Sequence, residues 1–196
     1  MPAHRNLYWK LNWYRHSELE GALLLGKVVR AAADQELILA LTRHCAEEAH
    51  HAWLWADTLH QMRLPFVRIF RSYQSFYLEH AGMPLGLAEV LALTHVFERR
   101  VHWRFTQELA QPRLPAPVRR TFRVLLKDER RHLDWVGRWL ATQPEGADLL
   151  RRFQAIDEQV YLALAPYTDR IWDIPGLGEE SGSVAHADAI HQALVG

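Results

Sequence analysis

Two stretches of the sequence contain the same motif, Glu-x-x-His: CAEEAHHAWLW at residues 45–55 and KDERRHLDW at residues 127–135. Residues three apart lie on one face of an α-helix, so the carboxylate and the imidazole of each motif point in the same direction. One such pair is common by chance. Two pairs on separate apolar helices, each preceded by a helix with a candidate glutamate, predict an all-α four-helix bundle with a metal site in its interior.

Length, charge and cysteine content narrow the class of protein. The 196 residues suit one domain with a sizeable core. Lys+Arg and Asp+Glu both number 23, so no net charge attracts nucleic acid or an anionic membrane. The single Cys45 excludes an intramolecular disulfide and any Cys-x-x-Cys iron site. Residues 1–10 lack an apolar signal core, and no apolar run is long enough to span a bilayer. We therefore expect a cytoplasmic protein with no nucleic-acid or membrane partner.

Capping residues and helix breakers predict where the first two helices lie. Residues 1–16 form an aromatic lead-in, and Ser17 caps a first helix that ends near Ala33. Asp34 caps a second helix, which ends before Pro65. The turn between these helices is short, which makes them antiparallel neighbours.

The remaining helices follow a long connection over residues 63–86. The pattern predicts a third helix from about 87 to 110, a fourth from about 118 to 141 and an additional one over about 147–164. No strand of useful length is expected. The predicted domain spans residues 1–172, with its core over 17–141, and residues 173–196 form a Gly/Ser-rich tail with a short amphipathic turn at 186–194.

The second helix offers two overlapping Glu-x-x-His pairs. The face with Glu48 and His51 also carries leucine and tryptophan side chains, whereas the face with Glu47 and His50 is polar. Metal ligands of such a bundle point into its dry interior, which favours Glu48 and His51.

The other candidate ligands lie on apolar faces of the remaining bundle helices. The fourth helix provides Glu129 and His132, and the third provides Glu98. On the first helix we prefer Glu18 to Glu20, although the choice between them stays open at this point. The four carboxylates lie about 15 residues from their predicted hairpin turns, or roughly 22–24 Å along the helix axes, so they could meet at one level. The predicted metal ligands are Glu18, Glu48, His51, Glu98, Glu129 and His132.

This donor set predicts a particular metal chemistry. Four carboxylates in an apolar core repel one another unless cations are present, and two divalent ions would balance their charge. Mixed oxygen and nitrogen donors suit two Fe ions, and Mn/Fe or two Mn ions stay open. Asp128 and Glu47 directly precede ligand glutamates, so each could orient a ligand histidine across the bundle from outside the site. His102 and His44 lie one turn from ligand positions and are further candidates for this outer role. No catalytic residue is expected beyond the ligands.

At the six predicted ligands the chain resembles the ferritin-like di-iron carboxylate superfamily, over residues 17–141. The superfamily includes rubrerythrins, ferritins, demethoxyubiquinone hydroxylases and tRNA-modifying hydroxylases. The resemblance implies an antiparallel four-helix bundle with a long crossover between helices two and three, around a di-iron centre. Gly21, Ala22 and His102 are similar to the hydroxylase branch. The chain departs from rubrerythrins because it has no rubredoxin module, and from storage ferritins because it lacks a carboxylate-rich iron-uptake path.

The sequence and the resemblance together favour a non-haem di-iron oxidoreductase. We expect a monooxygenase-like enzyme that activates O₂ or peroxide and hydroxylates or oxidises a small organic substrate, with electrons from an external reductase. The sequence does not identify that substrate, and it is compatible with a homodimer. The alternatives are a rubrerythrin-like peroxidase, a ferritin-like protein for iron storage or detoxification, and a metal-free helical interaction module.

Overall fold

The fold is mostly helical, as predicted. A computed structural model describes residues 2–180, and the side chains of residues 5–179. No helix in this part of the chain combines the length and apolar character needed to cross a membrane. The described helices are α1 (Pro2–Val28), α2 (Gln35–Gln61), α3 (Tyr73–Ala81), α4 (Leu87–Leu109), α5 (Ala116–Ala141) and α6 (Gly146–Leu164), and the strands are β1 (Val67–Ile69) and β2 (Gly178–Glu180).

Helices α1 and α2 form an antiparallel pair with a short connection. The Asp34 carboxylate caps α2 by accepting a hydrogen bond from the Leu37 N–H at 2.8 Å, as the sequence predicts. The Cys45 thiol donates to the carbonyl oxygen of Ala22 at 3.2 Å. Since Cys45 lies on the inner side of this pair, it belongs to the packing of α1 on α2.

Helices α4 and α5 also run antiparallel, and α5 packs beside α2. The Phe105 and Phe122 rings lie 5.0 Å apart between α4 and α5. The Thr58 and Thr121 hydroxyls are 2.6 Å apart between α2 and α5. These contacts turn the inner faces of α2, α4 and α5 toward one interior, which they share with α1.

Helix α1 begins at Pro2, which corrects the prediction of a lead-in over residues 1–16. Trp9 and Trp13 are one turn apart and both buried, so this aromatic stretch has a helical inner face. Ser17 is not an N-cap but lies in mid-helix. Its hydroxyl accepts a hydrogen bond from the Tyr73 N–H at 2.9 Å, which fixes the start of α3 against α1.

The connection between α2 and α4 lies over the N-terminal half of α1. Asn12 accepts a hydrogen bond from the Val67 N–H at 2.9 Å, and its amide donates to the carbonyl oxygen of Pro65 at 3.0 Å. The Trp13 indole donates to the carbonyl oxygen of Arg71 at 3.0 Å. Residues in the N-terminal half of α1 therefore fix the position of the connection between α2 and α4. They can do so because they are part of a helix.

Two short strands were not expected from the sequence. β1 pairs antiparallel with β2, in the register Val67 opposite Glu180 and Ile69 opposite Gly178. The stretch 173–180, expected to belong to the tail, packs on the domain through the buried side chain of Leu177. A three-residue strand is too short to show alternation, and its partner lies far along the chain. The amphipathic turn expected at 186–194 lies outside the described residues.

Candidate metal centre

The six predicted ligands meet in the interior of the structure. They come from α1, α2, α4 and α5, and each is at most 6% exposed, so water cannot solvate their charges. The rings of Tyr14, Trp55, Phe105 and Phe122 form one buried aromatic cluster, in which Tyr14 lies one turn from Glu18 and Trp55 one turn from His51. Glu20, the alternative on α1, is exposed. The structure thus brings Glu18, and not Glu20, together with the other ligands.

One group of donor atoms defines what we term position A. It comprises Glu18, Glu48, His51 and Glu129, whose donor atoms all lie within 4.8 Å of one another. The His51 Nδ1 atom lies 3.7 Å from Glu18 Oε2, 3.6 Å from Glu48 Oε1 and 3.6 Å from Glu129 Oε1. These separations exceed hydrogen-bond length. They would let each donor contact one ion between them at about 2.0–2.2 Å, as His and carboxylate ligands do at Zn²⁺.

A second group defines position B and includes a histidine that the sequence did not assign as a ligand. It comprises His44, Glu48, Glu98 and His132. The His44 Nε2 atom lies 2.8 Å from Glu98 Oε1 and 3.5 Å from Glu48 Oε1. The His132 Nδ1 atom lies 3.4 Å from Glu48 Oε1. Position B therefore has two imidazoles, whereas position A has one.

Two carboxylates lie between the positions. Glu48 belongs to both groups. Glu129 turns its Oε1 atom toward His51 of position A, while its Oε2 atom lies 3.9 Å from His132 Nδ1 of position B. Carboxylates in this arrangement can bridge two ions.

Each carboxylate that precedes a ligand glutamate contacts a histidine on the opposite helix. The His51 Nε2–H donates to Asp128 Oδ2 at 3.2 Å, and the His132 Nε2–H donates to Glu47 Oε2 at 2.9 Å. Arg131 lies between the two acceptors, 2.8 Å from Glu47 and 2.7 Å from Asp128. With Nε2 protonated, a neutral imidazole turns the lone pair of its Nδ1 atom toward the cluster.

The electrostatics of the carboxylates follow from burial and from these contacts. Burial, and next the charge of Glu48, raise the pKa of Glu18 to about 7. Burial and the charge of Glu48 likewise raise the pKa of Glu129 well above its usual range. The hydrogen bond from His51 lowers the pKa of Asp128 to about 2. Although burial acts in the other direction, hydrogen bonds from Arg43, Arg131 and His132 lower the pKa of Glu47 to about 2. The outer carboxylates are thus charged, while Glu18 and Glu129 inside the cluster need a cation or a proton.

The histidines complete this charge pattern. Burial opposes protonation of His44, but the nearby charge of Glu98 and hydrogen bonding to Glu48 and Glu98 raise its pKa to about 10. Burial lowers the pKa of His132, which therefore stays neutral. Without metal, protons supply part of the positive charge that the carboxylates require.

Several inner polar atoms are buried without any hydrogen bond. Buried polar atoms are nearly always hydrogen-bonded in proteins, so a group of exceptions around one point calls for a missing partner. A cation at each position would take a donor atom from each of these residues, so the residues present fit a pair of metal ions. The atoms are His44 Nε2, Glu48 Oε1, His51 Nδ1, Glu98 Oε2, Glu129 Oε2 and His132 Nδ1.

Within the described residues, no hydrogen bond or ion pair joins the His102 side chain to the cluster, so the structure does not bring it to the predicted ligands. It is partly buried, and burial together with the positive charge of Arg130 lowers its pKa. The inner face of α4 is continued by the buried ring of Phe105 two turns beyond Glu98, whereas His102 lies beside that face. The imidazole that contacts Glu98 is instead that of His44, which belongs to α2.

Two small cavities and one groove border the cluster. One cavity, of about 20 Å³, is lined by Gly21, Glu48 and Glu98, and a second of about 20 Å³ is lined by Tyr14 and Glu18. A Cβ atom on Gly21 would lie 2.7 Å from Glu48 Oε2, so only glycine leaves this carboxylate its place. The groove, of about 540 Å³, runs between α2 and α5 on the side of the ligand histidines.

Comparison with known proteins gives no family assignment. No protein-family model matches the sequence, and no curated protein matches it. The chemistry of the centre must therefore be inferred from its donors and their surroundings.

Proposed function

We propose that the chain is a ferritin-like di-iron carboxylate protein that activates O₂ or peroxide as a non-haem oxidoreductase. One observation carries the proposal. His51 and His132 each donate Nε2–H to an outer carboxylate, which leaves the Nδ1 atom unbonded at 3.4–4.0 Å from carboxylate oxygens. A buried nitrogen that faces carboxylates needs a positive partner, either a proton, as the raised pKa of His51 indicates for the metal-free protein, or a metal ion that it would ligate.

The donor set supports iron or manganese rather than other metals. Four carboxylates and neutral imidazoles are oxygen-rich donors with nitrogen added, and no thiolate is present among them. Two divalent ions would neutralise the four carboxylates. Helices α1, α2, α4 and α5 supply all of these donors, which supports a four-helix bundle of the ferritin type as the supporting architecture.

The surroundings support a reaction with a small oxidant. Two bound ferrous ions would supply a pair of electrons to O₂ or peroxide. Glu48 and Glu129 hold the two positions together, and Asp128 and Glu47 fix the rings of the ligand histidines. We infer that an external reductase restores the electrons and that a small organic substrate is oxidised or hydroxylated.

The cavity sizes favour a second candidate, a rubrerythrin-like peroxidase. Each cavity beside the carboxylates has about 20 Å³, enough for a molecule the size of water or O₂. Peroxide reduction needs no organic substrate in the site, so it fits these spaces without any movement of α1 or α4. The two candidates differ in whether oxidant consumption requires an organic reductant in the site.

The decisive experiment is anaerobic loading of metal-free protein with Fe(II), followed by addition of O₂ or H₂O₂. We expect two iron ions per chain, one for each position, and an iron(III) absorption band after oxidation. Glu18→Ala should lose iron, and the matched variant Glu20→Ala on the same helix should keep it. A folded, monodisperse protein that binds no iron would contradict the proposal and leave the metal-free interaction module. A large closed oligomer on a sizing column would instead indicate iron storage.

A further inference from the structure

We infer that the two positions are chemically unequal, because His44 is a seventh protein ligand, and that position B selects Fe(II) while position A accepts Mn(II). The inference deepens the proposed function and rests on it. It concerns which ion each position prefers, and the donor atoms of the two groups carry it.

The surroundings of His44 are those of a ligand rather than of an ordinary core histidine. Its side chain is 1% exposed, and its Nε2 atom faces two cluster carboxylates, at 2.8 Å from Glu98 Oε1 and 3.5 Å from Glu48 Oε1. Its ring lies 3.6 Å from the ring of His132, centroid to centroid, at an interplanar angle of 30°. Two stacked imidazoles that both point at Glu48 would repel each other if both were protonated. One ion at position B would be contacted by both rings.

The position of His44 in the sequence agrees with this role. It precedes Glu48 by four residues, and His51 follows Glu48 by three, so all three lie on the inner face of α2. One helix therefore supplies a histidine to each position and a carboxylate that both share.

The two positions differ in their number of imidazole donors, and imidazole favours iron over manganese. Position A groups three carboxylates with one imidazole, and position B groups two carboxylates with two imidazoles. Since Glu129 also lies near position B, the difference that remains between the positions is the second imidazole. Affinity for Fe(II) exceeds that for Mn(II) in the general order of divalent metals. Imidazole donors suit iron, whereas carboxylate and water suit Mn(II). The second imidazole should thus increase the Fe/Mn preference at B relative to A.

The two positions also differ in access from solvent. His44 and His132 line the groove of about 540 Å³ between α2 and α5, with Arg43 and Arg131 at its sides. Glu18 of position A borders a cavity of only about 20 Å³. Position B therefore borders the groove through its two imidazoles, and the carboxylates of Glu36, Glu47 and Asp134 also line that groove.

The test is metal competition in the full chain. Metal-free wild type, His44→Leu and the control His50→Leu are incubated without oxygen with the same excess of ⁵⁷Fe(II) and of Mn(II), so that the bound ratio reports preference rather than supply, and unbound metal is removed. His50 is the matched control because it lies on the same helix but is exposed. Metal content and the ⁵⁷Fe Mössbauer spectrum are then measured. Wild type and His50→Leu should hold iron and manganese in about equal amounts, with iron in a single environment.

In His44→Leu we expect the Fe/Mn ratio to fall by about tenfold or more, the scale of the losses seen when even an outer partner of a ligand is removed. His44→Gln, which keeps a polar side chain, should show the same fall if its thermal unfolding matches wild type. Two metals in His44→Leu at the wild-type ratio would overturn the inference and leave the proposed function intact. Wild type that binds no metal would instead overturn the proposed function.

Discussion

Two buried histidines owe their orientation to carboxylates that lie outside the metal positions. His51 contacts Asp128, and His132 contacts Glu47, so each carboxylate fixes a ring that belongs to the opposite helix. Without such an acceptor the ring can rotate, or its proton can move to Nδ1, and either change removes the donor from the metal.

Removing one acceptor should weaken metal binding without removing a ligand. We expect Asp128→Ala to weaken binding at position A by roughly 10–100-fold, because His51 loses the group that fixes its tautomer. Isothermal titration with Mn(II) measures this affinity. Asp134→Ala is the control, since Asp134 lies on the same helix and is exposed. Equal affinities for the two variants would contradict this role of Asp128.

The Glu48 carboxylate lies against Gly21, where any other residue would carry a Cβ atom. We expect Gly21→Ala to lose metal from both positions, because the new methyl group would lie 2.7 Å from Glu48 Oε2, and Glu48 belongs to both groups. Gly26→Ala is the control on α1, since its methyl group would meet only Cys45 Sγ at 3.5 Å, an ordinary contact. Metal analysis of both proteins after loading decides the matter, and normal metal content in Gly21→Ala would refute it.

The sequence predicts six residues that the structure brings together, but it does not distinguish His44 from His102. Glu18 was preferred to Glu20 because small and apolar residues share its face, and that face is indeed buried. His44 and His102 looked alike, since each lies four residues from a ligand glutamate. Only the packing distinguishes them, because α2 brings His44 to 2.8 Å from Glu98 Oε1, whereas His102 stays partly exposed on α4.

At the scale of elements, helix periodicity predicted α2, α4, α5 and α6 to within two or three residues at most ends. Helix periodicity did not predict two features of the structure, each for a physical reason. The N-terminal half of α1 is helical because its aromatic side chains pack under the crossover, a tertiary effect with no local cap. β1 and β2 are stabilised by pairing across more than a hundred residues, which no local pattern reveals.

A buried carboxylate on α6, that of Asp157, connects this helix to α3 and α4. Asp157 accepts hydrogen bonds from Arg100 on α4, the shortest at 2.6 Å, and from the Tyr77 hydroxyl on α3. The Asp157 side chain is 7% exposed and that of Arg100 is 20% exposed, so the pair is largely withdrawn from water. Removing one member of such a pair leaves the other charge without compensation.

We therefore expect Asp157→Ala to lower the free energy of unfolding by about 3 kcal/mol, the lower end for a broken buried pair because Arg100 keeps some solvent contact. Glu158→Ala is the control, since this neighbour contacts the same arginine at 3.3 Å but is 59% exposed. Urea unfolding of both variants measures the effect. Equal losses in the two proteins would show that Asp157 does not anchor α6.

At the scale of the whole molecule, stability and metal content are linked through protons. Without metal, Glu98 and Glu48 raise the pKa of His44 to about 10 against the opposing effect of burial, and its ordinary value is 6.5. Burial also opposes protonation of His51, but Asp128 and Glu18 raise the pKa of His51 far above its usual range. The folded state then binds more protons than the unfolded chain above pH 6.5, so stability falls as pH rises. The lowered pKa of His132 acts only below pH 6.5 and does not oppose this trend.

Metal reverses the sign of this pH dependence. A bound ion requires neutral imidazoles and charged carboxylates, so protons compete with it and its affinity rises with pH. We expect the unfolding temperature of chelator-treated protein to fall between pH 6.5 and 9, while that of Mn(II)-loaded protein stays level or rises. Scanning calorimetry at several pH values tests both arms, with His50→Leu as a control that should follow wild type. Parallel curves for the metal-free and metal-loaded protein would mean that no exchange of protons for metal takes place at these histidines.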